Sequence, residues 1–369
     1  MVINGCRPAD LADPADGPPL KHLLCASVIG VSGACLIIAG LWALRDAPSA
    51  AAPLAAARQE RPNDFPTSAS PSRFDPAWLT QAAIPPDRPG IVPETRWLEY
   101  DFSQSLEPRT YRAGPLKLTI SAEPVKSLPM VVQKVEIAAP GMRPHTMFGE
   151  WEPPGKRLRL AVLKLEAGAK NPAVLLQAYS GGFQCCNHVQ IALPEGKGFR
   201  TLNLGDEWHG VSIPYPVDHD GDGRPELVFP DRTTVFHFTT QEYDVPPPAI
   251  INIVGGGAVN VSADRRFRPL FLAKMAEAEK LCRDPDPPTS AGACPGFVAS
   301  AARAGRLEAA WRVMLKAHKP DPNYPLPRTC EDGRVGFCED GRPFTSYPAA
   351  LEALLKQSGY VPKAWRPPV

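Results

Sequence analysis

Val217-Asp-His-Asp-Gly-Asp-Gly-Arg-Pro-Glu-Leu-Val-Phe229 sets three aspartates at alternate positions, Asp218, Asp220 and Asp222. Gly223 follows, and Glu226 stands three residues further on, just before the apolar Leu227-Val228-Phe229. Like charges this close cannot all stay ionised cheaply unless a cation sits among them. The donors are all hard oxygens, with no Cys or imidazole at a ligand position, and this selects calcium over zinc or copper. In a calcium loop, alternate side chains supply oxygens, a Gly makes the sharp turn, and the next residue offers its carbonyl. The expected ligands are therefore Asp218, Asp220, Asp222, the Arg224 carbonyl and Glu226. His219 falls at a non-ligand position and should face solvent. A plain acidic turn is the competing reading, because Asp and Gly are ordinary turn residues.

A helix-loop-helix calcium hand would need a carboxylate at Phe229, which cannot ligate, and Glu226 closes the loop early instead. This Asp-x-Asp-x-Asp-Gly-x-x-acid stretch, running straight into Leu227-Val228-Phe229, resembles the calcium hairpins of FG-GAP and VCBS repeats in integrin-like propellers and bacterial surface proteins. The resemblance implies a β-hairpin around the ion, with Glu226 where the closing residue is usually Asp. It occurs once, which counts against a complete propeller of such blades.

Outward from the loop, short apolar runs bounded by Gly, Pro and Asp mark strands. They run over 116–121, 131–138, 158–166, 173–179, 188–193, 199–204, 227–229, 234–239 and 250–254. Residues 158–166 do not alternate cleanly, so that strand should be buried on both faces. The expected fold is α+β, with a mainly β domain over 96–263, as a sandwich, barrel or partial propeller. From 264 to 369 the apolar spacing turns helical, with stripes at Phe271 to Leu281, Phe297 to Ala304, Leu307 to Ala317 and Tyr347 to Gln357. These helices are too short to stand alone and should form a small annex packed on the β-domain or held by disulfides.

The amino-terminal part places the chain. Leu23 to Leu44 carries no charge and, as a helix of roughly 33 Å, would cross a hydrocarbon core of about 30 Å. Residues 1–22 read as a disordered cytoplasmic tail and 45–95, with ten prolines from 46 onward, as a linker. The inner membrane, entered through 23–44, is thus an expected partner, and a cleaved signal segment is the alternative. Either way the remainder is exported to the bacterial cell envelope. Net charge is +1 with no basic run interleaved with aromatics, which excludes nucleic acid as a partner class.

Six of the nine cysteines follow the linker. Cys282 with Cys294 and Cys330 with Cys338 are the local pairings, and a crossed pairing is the alternative. Cys185-Cys186 sits in Gly181-Gly-Phe-Gln-Cys-Cys-Asn-His188, and this stretch followed by the acidic loop resembles uncharacterised exported bacterial proteins. The adjacent cysteines suit a structural disulfide, or, with His188, a soft-metal or redox site. Asp206, Glu207 and His209 could form an acid/base group beside the ion. No nucleophile elbow, phosphate loop, dinucleotide fingerprint or His-Glu-x-x-His motif is present. The sequence thus points to a membrane-anchored envelope protein whose calcium-stabilised β-domain serves binding or assembly with a protein or glycan partner. An envelope enzyme or metal-handling protein using Cys185, Cys186 and His188 is the alternative.

Overall fold

The computed structural model describes residues 90–102, 106–125, 130–152, 157–182, 185–205 and 213–368. The expected tail, membrane span and most of the linker lie outside them. Among the described residues no helix is long and apolar enough to cross a membrane.

Four strands, β1 (Leu98–Asp101), β2 (Arg109–Ala113), β3 (Leu116–Pro124) and β4 (Val131–Ala138), precede β5 (His145–Glu152). Strands β2 to β5 form an antiparallel meander. Alternation decides its faces: Leu116, Leu118 and Ile120 on β3 and Val135 and Ile137 on β4 point inward, with charged or polar residues between them. A second sheet has the order β1, β6 (Arg157–Leu163), β7 (Ala173–Gly182), β8 (Cys185–Glu195), β9 (Gly198–Gly205). One of its faces, with Leu158, Leu160, Val174, Leu176 and Ala192, packs on the meander. The other, with Ala161, Leu175, Ile191 and Leu193, packs on a third sheet through Leu227, Phe229, Ala249 and Ile253.

That third sheet is β10 (Leu227–Pro230), β11 (Pro248–Val254) and β12 (Gly257–Asn260). The middle sheet is therefore covered on both sides, which is why 158–166 lacks clean alternation. The β-domain is a layered sandwich. Each buried Leu, Ile or Phe in such a seam contributes about 1.5–3 kcal/mol, and the layers close because each sheet presents one apolar face to the next.

The carboxy-terminal region carries α1 (Arg268–Cys282), α2 (Pro287–Arg303), α3 (Leu307–Ala317) and α4 (Tyr347–Gln357). A small antiparallel sheet lies between α3 and α4, with β13 (Arg328–Thr329) paired to β14 (Val335–Gly336) and β15 (Arg342–Pro343). On α1, Phe271, Lys274, Ala278 and Cys282 face inward at helical spacing. Helix α2 is longer than the stripe from Phe297 predicts, starting at the Asp286 cap with prolines in its first turn. Disulfides join Cys282 to Cys294 and Cys330 to Cys338, the local pairings. Each contributes about 2–3 kcal/mol in the chain-entropy picture.

One expected strand is absent. Residues 234–239 are not extended: Asp231 caps a single 3-10 turn at Arg232–Thr234 by accepting from Thr233 N. Beyond it Phe236 adopts φ +64, and its N–H donates to the Asp244 carboxylate at 2.8 Å. Side-chain acceptors at both ends of this segment take the amides that a ladder would have used. It packs instead on the helices, with Phe238 and Val245 inside their core.

Candidate metal centre

An antiparallel bridge between Val217 and Glu226 closes the acidic loop, with Glu226 N donating to Val217 O at 3.0 Å. Within it Gly221 and Gly223 have φ of +79 and +83, a conformation that strains any residue with a Cβ. The aspartates wind the backbone around themselves. Asp218 Oδ1 accepts from Gly221 N at 2.7 Å and Asp222 N at 3.1 Å, and its Oδ2 accepts from Gly223 N at 2.9 Å. Asp220 Oδ1 accepts from Asp222 N at 3.1 Å, and Asp222 Oδ1 from Arg224 N at 2.9 Å.

One carboxylate oxygen each of Asp218, Asp220, Asp222 and Glu226 lies within 4.8 Å of all the others. Oxygens on opposite sides of a calcium ion stand about 5 Å apart, so these donors fit a single ion. Among the described residues no other set of three or more His, Cys, Asp or Glu gathers this way. Glu226 is wholly buried, backbone included, at the entry to β10, whereas each aspartate leaves part of its residue exposed. Its Oε2 accepts from His219 N at 2.7 Å, while Oε1 is buried with no hydrogen-bond partner. Asn252, buried on β11, lies near enough to favour the charged form but makes no hydrogen bond to Oε1. A carboxylate oxygen in that state costs free energy unless a cation or donor meets it.

The electrostatics follow these contacts. The Gly223 amide, aided by those of Gly221 and Asp222, holds the Asp218 carboxyl below the usual range. Burial pushes Glu226 up, the His219 amide opposes this, and Asp220 and Asp218 add repulsion. Asp218 thus favours its charged form, while at Glu226 burial outweighs the His219 amide and Asn252 that oppose it. His219 is exposed, as its non-ligand position predicts.

The loop is supported by elements distant in sequence. Gly223 packs against Ala167, between β6 and β7, where a Cβ at Gly223 would lie 3.9 Å from that of Ala167. The Arg266 guanidinium approaches Asp220 Oδ2 to 2.7 Å and Asp222 Oδ2 to 3.8 Å. Local spacing signals neither Arg266 nor Asn252, since chain folding brings both to the loop. Of the other candidates, His188 is buried on β8 against Gln190. The side chains of Cys185 and Cys186, and residues Asp206, Glu207 and His209, lie outside the described set.

Residues 271–359 match the family described as the sll0997 C-terminal domain. The chain is similar to the probable thylakoid lumen protein sll0997 of Synechocystis, 26% identical over 214 residues. That match covers 55% of this chain and 60% of the relative. It is also similar to the uncharacterised protein y4bJ of Sinorhizobium fredii, 23% identical over 199 residues, covering 53% of this chain and 31% of the relative. The chain thus spans less than two thirds of the length of either. No solved structure matches it.

Proposed function

We propose that the chain is an exported envelope protein whose β-domain is stapled by one calcium ion and serves binding or assembly. The ion is held by Asp218, Asp220, Asp222, Glu226 and the Arg224 carbonyl. The observation that carries this reading is Glu226 Oε1, buried without a partner in a cluster of acids whose oxygens lie within one ion's reach. Export is supported by the likeness to a probable thylakoid lumen protein and by the two disulfides, which suit an oxidising compartment. Anchoring through residues 23–44 belongs to the same proposal. A binding role draws support from the exposed rings of Phe236 and Phe337, the latter edge-on to Tyr324 at 5.5 Å. A protein or glycan is the partner class that such a surface suits.

The ion would act structurally. It ties the loop to the start of β10, whose Leu227 and Phe229 sit in the inter-sheet core. An affinity of about 10⁻⁴ to 10⁻³ M is usual for extracellular modules. At tenfold excess over the dissociation constant, calcium would stabilise the fold by about 1.4 kcal/mol and raise Tm by a few degrees. Thermal melting of the full-length chain in calcium and in chelator tests this. The wild type should melt higher in calcium, and Asp220→Ala should abolish the difference. A wild-type Tm indifferent to calcium, or a difference that survives the substitution, identifies the loop as an acidic turn.

A further inference from the structure

We infer that Arg266 is a built-in competitor for the cation, pairing with the acidic loop in the absence of calcium and withdrawing when calcium enters. This rests on the calcium reading of the loop. Backbone amides take Oδ1 of both Asp220 and Asp222. That leaves Asp220 Oδ2 to face an ion, together with Asp222 Oδ2, which also accepts from Arg224 Nη1 at 3.3 Å. Those are the oxygens that Arg266 Nη1 approaches, at 2.7 and 3.8 Å. The Asp220 side chain is 0% exposed and that of Arg266 is 50% exposed, so the guanidinium reaches Asp220 from the solvent side.

Calcium bonds oxygen at about 2.3–2.6 Å, and a divalent ion that close to Asp220 Oδ2 repels a guanidinium on the same atom. Calcium prevails because it has twice the charge and also meets Glu226 Oε1, an oxygen with no hydrogen-bond donor. Withdrawal leaves Arg266 paired. Asp264 Oδ2 accepts from its Nε at 3.0 Å and Nη2 at 2.8 Å, and Asp264 Oδ1 from its backbone N at 2.9 Å. The movement would be felt at a junction: Arg266 lies in the 3-10 turn Arg265–Phe267 that leads directly into α1. The adjacent Phe267 packs with Ile250 of β11 and Phe271 of α1. Ion entry is thereby coupled to the joint between the third sheet and the first helix.

Calorimetric titration of the full-length chain with calcium chloride, wild type against Arg266→Gln, tests the inference. The variant should bind about tenfold more tightly, the scale expected on removing one unit charge a few ångströms from a divalent ion in a water-like dielectric. Equal or weaker binding by a folded variant, with wild-type binding intact, overturns the competitor role and leaves the calcium site standing. Absence of binding by both overturns the calcium reading itself. Should the variant fail to fold, the wild type labelled with ¹⁵N-arginine answers the same question: the Arg266 Nε–H signal should shift as calcium saturates the site. A signal that stays in place through saturation overturns the inference.

Discussion

His237 and Asp244 sit in the segment between β10 and β11 and drive stability in opposite directions with pH. Burial lowers His237 to about 4, and its Nδ1 is buried without a partner. The fold thus favours the neutral ring. Its contribution is fully present above the ordinary value of 6.5 and is lost as pH falls through about 4. Burial pushes Asp244 well above the carboxylate range, against the Phe236 amide that favours its charge. Its contribution is complete below the ordinary value of 3.8 and is lost as pH rises through the elevated one. Between pH 4 and 6.5 the two oppose, so single variants are needed to separate them. His237→Gln should lose less stability than wild type between pH 6.5 and 4, and Asp244→Asn should gain relative to wild type as pH rises from 4, both read by denaturant unfolding. Unfolding curves that shift in parallel at every pH would refute the assignment. At this scale the four acids are legible from their spacing alone, because a loop of nine residues is local. Arg266, Asn252 and the left-handed Phe236 are not, since tertiary contacts place them and no short-range pattern anticipates them.

Helix α2 shows what an element conceals. Its sequence holds Gly292, Pro295 and Gly296, which read as helix breakers, so only the part from Phe297 looks helical. The glycines have a packing reason. A Cβ at Gly292 would stand 2.4 Å from the Tyr243 carbonyl oxygen, and one at Gly296 would stand 1.6 Å from that of Val245. The chain through 243–245 therefore lies directly on the helix surface, and only hydrogen at those positions leaves it room. The Asp286 cap, accepting from Thr289 N, and the prolines behind it form an amino-terminal signature that was available in the sequence. Gly296→Ala should destabilise the chain by about 3 kcal/mol, in the upper range for overpacking. Gly305→Ala, outside this contact, should cost about 1 kcal/mol through its φ of +70. Equal losses in denaturant titrations would remove the close approach as the reason for the glycine. Helices α3 and α4 match their predicted spans because neither has an interior Gly, and each shows a clear apolar stripe.

Across the whole molecule, the layered sheets and the helices meet around the segments that flank the acidic loop. Strand β10, which begins where the loop ends, packs on the middle sheet, and β11 carries Ile250 to the helices through Phe267 and Phe271. A mainly β domain with a helical annex is readable from the switch in apolar period near residue 264. The stacking of three sheets is not, because it depends on which faces pair, and the covered strands of the middle sheet lose the alternation that would have shown it. One ion meeting the carboxylates that the fold collects is the proposed staple of this junction. Equilibrium dialysis of the full-length chain against radiolabelled calcium measures that directly, with Glu226→Gln alongside. The wild type should hold about one ion per chain at saturation, and the variant should lose that binding. A wild-type chain that retains no calcium, or a variant that retains as much as the wild type, would contradict the calcium reading.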